Sequence, residues 1–239
     1  MVVGTHAILE ALKVNSKQAQ MLWLKQGWES SQELKKLYAD FKNIIPKVET
    51  KPASFLDNLT TSHQGAALFL NSAPQANWEE ILLKEQAKVL ILDGIEDVQN
   101  LGAILRTSWL MEVDVVLIPQ DRAVGLTPAV HKVACGGVEH VPVILCSNFS
   151  KYMEDLKNND FWIFGLSHLG KGTVFDLKIP QKIVWCVGAE DKGLRVTTER
   201  LCDELVRIPQ ASAAASYNAS VATAMALLET TRQQAAKKS

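Results

Sequence analysis

Three polar segments of this chain, each set directly behind an apolar run, carry side chains that could do chemistry together. The first spans residues 92–108. An apolar run at 89–92 leads into a polar loop, then Asn100, then an amphipathic stretch carrying Arg106. Strand, loop and helix in that order put a cap and a cation where an anion would bind at a helix start. The second, residues 184–195, is a buried strand ending at Gly188, with Glu190 in the loop behind it. The missing side chain at Gly188 would let a ligand approach the backbone. In the third, residues 206–222, a strand ends at Ile208 and Pro209, and a loop of small residues feeds a helix whose first turn holds Ser216 and Asn218. Taken singly, the second segment reads equally as a solvated turn and the third as ordinary helix capping. In a parallel sheet all three loops leave the same edge, and ligands of open α/β sheets bind outside the carboxyl ends of the strands.

The elements that must position these loops follow from periodicity. From residue 78 the chain reads as helix 78–86, strand 88–92, a helix capped by Asn100 that runs to about Met111, and strand 113–118. A helix through His131 and Cys135, strand 141–143, helix 148–158 and strands 161–164, 183–187 and 205–208 follow, then a long helix from Asn218 to about Gln233. Fully apolar strands separated by helices imply a parallel sheet covered on both faces. The first 70 residues form a separate α/β module: a helix capped by Thr5, strand 20–24, a helix over 31–41 capped by Ser31, and strands 44–48 and 66–70. The polar, turn-rich stretch 71–77 is the best linker. The units are therefore 1–72, a linker and connecting helix 73–86, and 87–239.

Composition narrows the function classes. The 239 residues are 47% hydrophobic, enough for an ordinary core, yet no apolar run approaches the roughly 18 residues of a membrane helix, and the N-terminus shows no export signal. Cys135, Cys146, Cys186 and Cys202 lie far apart and read as isolated thiols of a reduced cytoplasm, with no metal set. Net charge is −1; residues 1–75 carry eight Lys/Arg against six Asp/Glu, a small excess in favour of RNA docking by the N-terminal unit. Residues 165–173 nearly spell a phosphate-binding P-loop, but Gly172 stands where Ser or Thr should hold magnesium and no helix follows. No Gly-x-Gly-x-x-Gly follows a strand, which disfavours a dinucleotide fold.

The order and wording of the three segments resemble the signature motifs of the SpoU (TrmH-type) RNA ribose 2′-O-methyltransferases. Motif one is carried by residues 100–106, motif two by Gly188, Glu190, Gly193 and Arg195, and motif three by Ile208, Pro209, Ser216, Asn218 and Ser220. Gly4, His6, His63, Gln64 and Gly65 resemble the L30e-like substrate domain of the subgroup that includes the bacterial 23S ribosomal RNA guanosine 2′-O-methyltransferases. Residues 132–136 and Arg232 with Gln233 fit as well, so the likeness spans nearly the whole chain. It implies a SPOUT-type parallel sheet with a C-terminal trefoil knot, an arrangement that periodicity could not yield. It also implies a cytoplasmic homodimer and S-adenosylmethionine as methyl donor, held near Gly188, Ile208 and Tyr217, with no metal and no membrane.

The reaction so implied is in-line attack of a ribose 2′-hydroxyl on a sulfonium methyl, with Asn100, Arg106, Glu190, Ser216 and Asn218 as the catalytic set. The family places base duty around Arg106. A guanidinium holds its proton far above neutrality, and stripping it at pH 7 costs roughly 7 kcal/mol. Clamping the neighbouring phosphate and stabilising a developing alkoxide is the cheaper role. The chain departs from the family pattern at Val98 (usually Pro), Gln210 (Met), Ser212 (Gly) and Tyr217 (Leu), which alters the cofactor pocket. Large-subunit rRNA is the expected substrate; the alternatives are a tRNA 2′-O-methyltransferase or a catalytically lapsed RNA-binding or ribosome-assembly factor.

Overall fold

The computed structural model describes residues 1–59, 63–72, 74–121, 123–212 and 215–236. Ala73 of the expected linker, and Ala213 and Ala214 of the third segment, lie outside the described residues. The chain builds two sheets. The first has the order β1-β4-β2-β3, from Val2–Val3 (β1), Ala19–Lys25 (β2), Lys47–Lys51 (β3) and Ala66–Leu70 (β4). Helices α1 (Thr5–Asn15) and α2 (Gln32–Phe41) bury Ile8, Leu12, Leu34 and Leu37 against Leu22, Leu24 and Leu68 on one face of it. The short α3 (Ala53–Asp57) lies over part of the other face, with Leu56 buried beside Val3 and Ala67. Ser31 caps α2 as expected, accepting from the Leu34 amide. Thr5 does not cap α1. It is the first helical residue, and both its amide and its hydroxyl donate to Gln64 Oε1, at 2.9 and 3.2 Å. Thus the two short signatures of the N-terminal unit touch. The strand expected over 44–48 begins instead at Lys47, because Pro46 lacks an amide for a ladder and holds the preceding residues in a turn.

The second sheet is wholly parallel, in the order β7-β6-β5-β10-β8-β11-β9. Its strands are Ala87–Asp93 (β5), Val115–Pro119 (β6), Val143–Cys146 (β7), Trp162–Leu166 (β8), Gly172–Thr173 (β9), Lys182–Gly188 (β10) and Glu204–Arg207 (β11). The intervening helices are α4 (Trp78–Leu83), α5 (Val98–Leu110), α6 (Pro128–Ala134), α7 (Gly137–His140), α8 (Phe149–Asn158), α9 (Val196–Leu201) and α10 (Ala219–Ala236). The central pair β5 and β10 is apolar on both sides because both faces are covered. Leu90, Leu92, Trp185 and Val187 meet Leu101, Ile104 and Leu105 of α5 and Ala226 and Leu227 of α10. Val89, Ile91, Val184 and Cys186 meet Phe149, Met153 and Leu156 of α8. Trp185 is fully buried and donates from Nε1 to Thr230 Oγ1 at 2.9 Å, which locks α10 to the sheet. Burying a side chain of that size contributes about 1.5–3 kcal/mol. After β8 the glycine-rich loop runs into β9 and no helix, so it has no P-loop geometry.

Candidate active site

The strands β5, β10 and β11 run parallel, so the loops behind them leave one edge of the sheet. The first loop ends at Asp97, whose side chain caps α5 by accepting from the Asn100 amide at 2.8 Å. Asn100 was expected to be that cap. It sits instead within the first turn, and this frees its side chain to point across the edge. Its residue is buried, and Nδ2 donates to Glu190 Oε1 at 2.9 Å. From the third loop, Asn218 Nδ2 reaches the same oxygen at 2.5 Å, and the Ala219 amide lies 3.4 Å away. Asn218 Oδ1 in turn accepts from Ser220 Oγ and from the Ser220 amide, so its side chain is held at both ends. One carboxylate oxygen therefore ties together three segments distant in sequence.

A second tie holds the loop that carries Glu190. Asp93, the last residue of β5 and buried, accepts from Arg195 Nε and, at 3.0 Å, from the Arg195 amide. The Arg195 guanidinium also lies over the Phe149 ring, 5.5 Å from its centre. Asp93, Asp97 and the anchoring role of Arg195 were missed in the sequence. The available signal was an acid closing an apolar strand and a second acid three places before Asn100.

Gly188 is also required by the chain's own packing. A Cβ there would lie 2.0 Å from the Gly193 carbonyl carbon and 2.3 Å from the Leu194 amide nitrogen. The space is filled by the chain's own turn, closed by the Gly193 amide on the Ala189 carbonyl at 2.8 Å. This close approach presents Glu190 toward Asn100. Ile208 packs against the large core where β11 ends, and Tyr217 folds back over the third loop, its hydroxyl donating to the Pro209 carbonyl at 3.1 Å. Arg106 lies on α5 beyond Asn100, exposed and without a hydrogen-bond or ion-pair partner among the described residues. Ser216 is exposed and likewise outside the Glu190 network. The structure thus joins Asn100, Glu190 and Asn218, and leaves Arg106 and Ser216 exposed outside that network. Between the first and second loops runs a cleft of about 230 Å³ lined by Gly94, Ile95, Asp97, Asn100, Ala189 and Glu190. Such a site combines a carboxylate held by amides with open backbone, a set suited to orienting a polar ligand.

Comparison with known proteins gives a consistent picture. Residues 87–228 match the family model of the SpoU rRNA Methylase family, and residues 1–76 match that of the RNA 2′-O ribose methyltransferase substrate-binding domain. The chain is 32% identical to the 23S rRNA (guanosine-2′-O-)-methyltransferase RlmB of Pseudomonas putida, over 99% of this chain and 98% of that protein. It is 34% identical to RlmB of Neisseria meningitidis serogroup B, over 99% and 96%. The crystal structure of the SpoU methyltransferase AviRb from Streptomyces viridochromogenes, in complex with AdoMet, superposes with a TM-score of 0.86 at 20% identity, covering 98% of this chain and 89% of that one.

Proposed function

The chain belongs to the SpoU rRNA methylase family, and from that premise we propose that it methylates a ribose 2′-hydroxyl of large-subunit (23S) ribosomal RNA. It is an S-adenosylmethionine-dependent RNA 2′-O-ribose methyltransferase. The observation that carries the reading of the site is Glu190 Oε1, shared by Asn100 and Asn218. The residues present fit the methyl donor. Ile208, Ser216 and Tyr217 lend no main-chain group to a backbone hydrogen bond among the described residues, so the end of β11 offers the donors and acceptors that the edge of a base needs. Gly188, Ile208 and Tyr217 would hold it, and it supplies a methyl group already activated by the positive sulfonium.

The chain's own residues supply the rest. Arg106 clamps the phosphate next to the target ribose through paired guanidinium N–H groups, and its fixed charge lowers the cost of removing the 2′-hydroxyl proton to solvent. Glu190 holds Asn100 and Asn218 in place, and Ser216, at the mouth of the third loop, contacts the ribose. Residues 1–72 dock the RNA and residues 87–239 carry the reaction, with 73–86 between them. The return of α10 across the sheet to pack on α5 and β10 supports the trefoil knot implied by the family. Exposed apolar side chains of Leu110 on α5 and of Val221 and Leu228 on α10 support a homodimer, and a ribosomal RNA substrate supports a cytoplasmic enzyme. The test is transfer of labelled methyl groups to unmodified total RNA, fractionated by size. Label in the large ribosomal RNA is expected; label confined to tRNA overturns the substrate, and no label together with no binding of S-adenosylmethionine overturns the enzyme.

A further inference from the structure

Where the two units meet, α1 packs against α7 and β1 against α6. Within that contact Glu10 of α1 is buried, and its Oε2 lies 3.0 Å from Nε2 of His140, the last residue of α7. Among the described residues this is the one hydrogen bond and the one ion pair joining the small-sheet unit to the large-sheet unit. Its geometry is fixed on every side. Lys13 holds the other carboxylate oxygen at 2.6 Å. Burial pushes the Glu10 carboxyl up, but the hydrogen bonds and charges of Lys13 and His140 outweigh it and keep it below the ordinary carboxylate range. The His140 imidazole lies flat on the Trp109 indole, with centroids 4.0 Å apart and planes 7° from parallel. Trp109 belongs to α5, one turn beyond Arg106.

The backbone between these groups is built for close approach. Gly136 has φ +103°, and a Cβ there would lie 2.9 Å from Glu10 Cγ and 3.2 Å from Trp109 Cζ3. A Cβ on Gly137 would lie 2.6 Å from the Leu105 carbonyl and 2.7 Å from the Arg106 amide nitrogen. The short α7 therefore rests on the backbone of Arg106 at one end and on Glu10 of the other unit at its other end. The remaining contact between the units is the packing of α1 on α6 and α7 and of β1 on α6, which carries no other hydrogen bond among the described residues. A directional bond backed by a stacked ring constrains rotation well.

We propose that Glu10, His140 and Trp109 form a clasp that sets the angle of the N-terminal unit against α5, and so brings RNA docked on that unit into register with Arg106. Glu10 and His140 are positioning residues and touch no substrate. The inference rests on the reading of residues 1–72 as the RNA-docking unit. Without the clasp RNA still docks, but the target ribose meets Arg106 less often. The loss therefore falls on kcat and spares KM.

The experiment compares wild type, Glu10→Gln, His140→Phe (which keeps the stacked ring) and the double variant, on in vitro transcribed large-subunit rRNA. Rates are normalised to sites that bind S-adenosylmethionine, so misfolded enzyme does not count. Each single variant is expected to lose about five- to tenfold in kcat with KM for RNA changed less than twofold, and the double variant to match the worse single one. Hydrogen exchange supplies a readout independent of turnover: RNA slows exchange of the α5 amides in wild type and fails to do so in Glu10→Gln, at equal RNA affinity. Variants with wild-type kcat, losses that multiply in the double variant, or losses confined to KM overturn the clasp alone. A wild type that binds no RNA overturns the docking reading, and the clasp with it.

Discussion

Replacing Glu190 tests whether the site is held together by a single oxygen. Three donors meet there, but they are not equally costly to abandon. Asn218 is exposed, so water takes the place of the lost acceptor and the change there is about 0.5 kcal/mol. Asn100 is 6% exposed, and its amide would be left buried without a partner, at about 1–3 kcal/mol. The Ala219 amide, at 3.4 Å, adds little. Glu190→Ala should therefore cost about 1.5–3.5 kcal/mol of assembled-site free energy, or a fall of roughly 10- to 300-fold in kcat/KM at about 1.4 kcal/mol per decade. Glu190→Gln keeps an acceptor oxygen in the same place and loses only the charge assistance, about 1 kcal/mol or roughly fivefold. The assay is methyl transfer to rRNA under kcat/KM conditions, with thermal unfolding measured on the same preparations. Activity of Glu190→Ala within twofold of wild type would refute the reasoning. So would Glu190→Gln falling as far as Glu190→Ala, since the negative charge and not the shared acceptor would then be the cause.

Arg106→Ala should reduce methyl transfer by about 100-fold or more, the loss expected on removing one charge-stabilising donor. Because Arg106 has no partner among the described residues, unfolding free energy should shift by less than about 0.5 kcal/mol and binding of S-adenosylmethionine should persist, as read by urea titration and calorimetry. Gly188→Ala should break the turn that presents Glu190, giving insoluble or cofactor-blind protein, whereas Gly172→Ala, with its nearest neighbour 3.7 Å away, should be tolerated. Glu10 titrates lower in the folded chain than in the unfolded one, so its contribution is full above about pH 4.5 and disappears as pH falls through the lower folded value. Acid titration of stability should accordingly be shallower in Glu10→Gln than in wild type. Burial pushes the Cys146 thiol up to about 12 and raises that of Cys186 well above its ordinary value, so maleimide at pH 7.5 should label neither before Cys135.

Much of this architecture could be read from residue patterns, and the failures have physical causes. Runs such as Val89, Leu90 and Ile91 announce a strand buried on both faces, and with helices between such strands a parallel sheet follows. Strand order does not follow, because an apolar strand carries no label for its neighbour; that β8 lies between β10 and β11 is visible only in the structure. The elements missed, β1, α3, α7, β9 and α9, are six residues or shorter, too short to show a period. Asp97 and Asn100 are both good capping types in adjacent turns, and residue type cannot say which of them caps. The convergence on Glu190 joins positions 90 and 28 residues away, and nothing in local sequence reports such a meeting. The resemblance to known motifs pointed to it because it carries information that the pattern of apolar residues lacks.

The span of that convergence bears on when the protein becomes active during its own synthesis. Segments centred on Asn100 and Glu190 leave the ribosome well before Asn218 and α10, which seats it. Until α10 docks through Thr230 on Trp185, Glu190 lacks one of its two asparagine partners, and contacts of such long sequence separation form late. A nascent chain can thus fold its N-terminal unit and most of the parallel sheet while Glu190 still waits for Asn218. Docking of α10 is therefore the event that completes the Glu190 network.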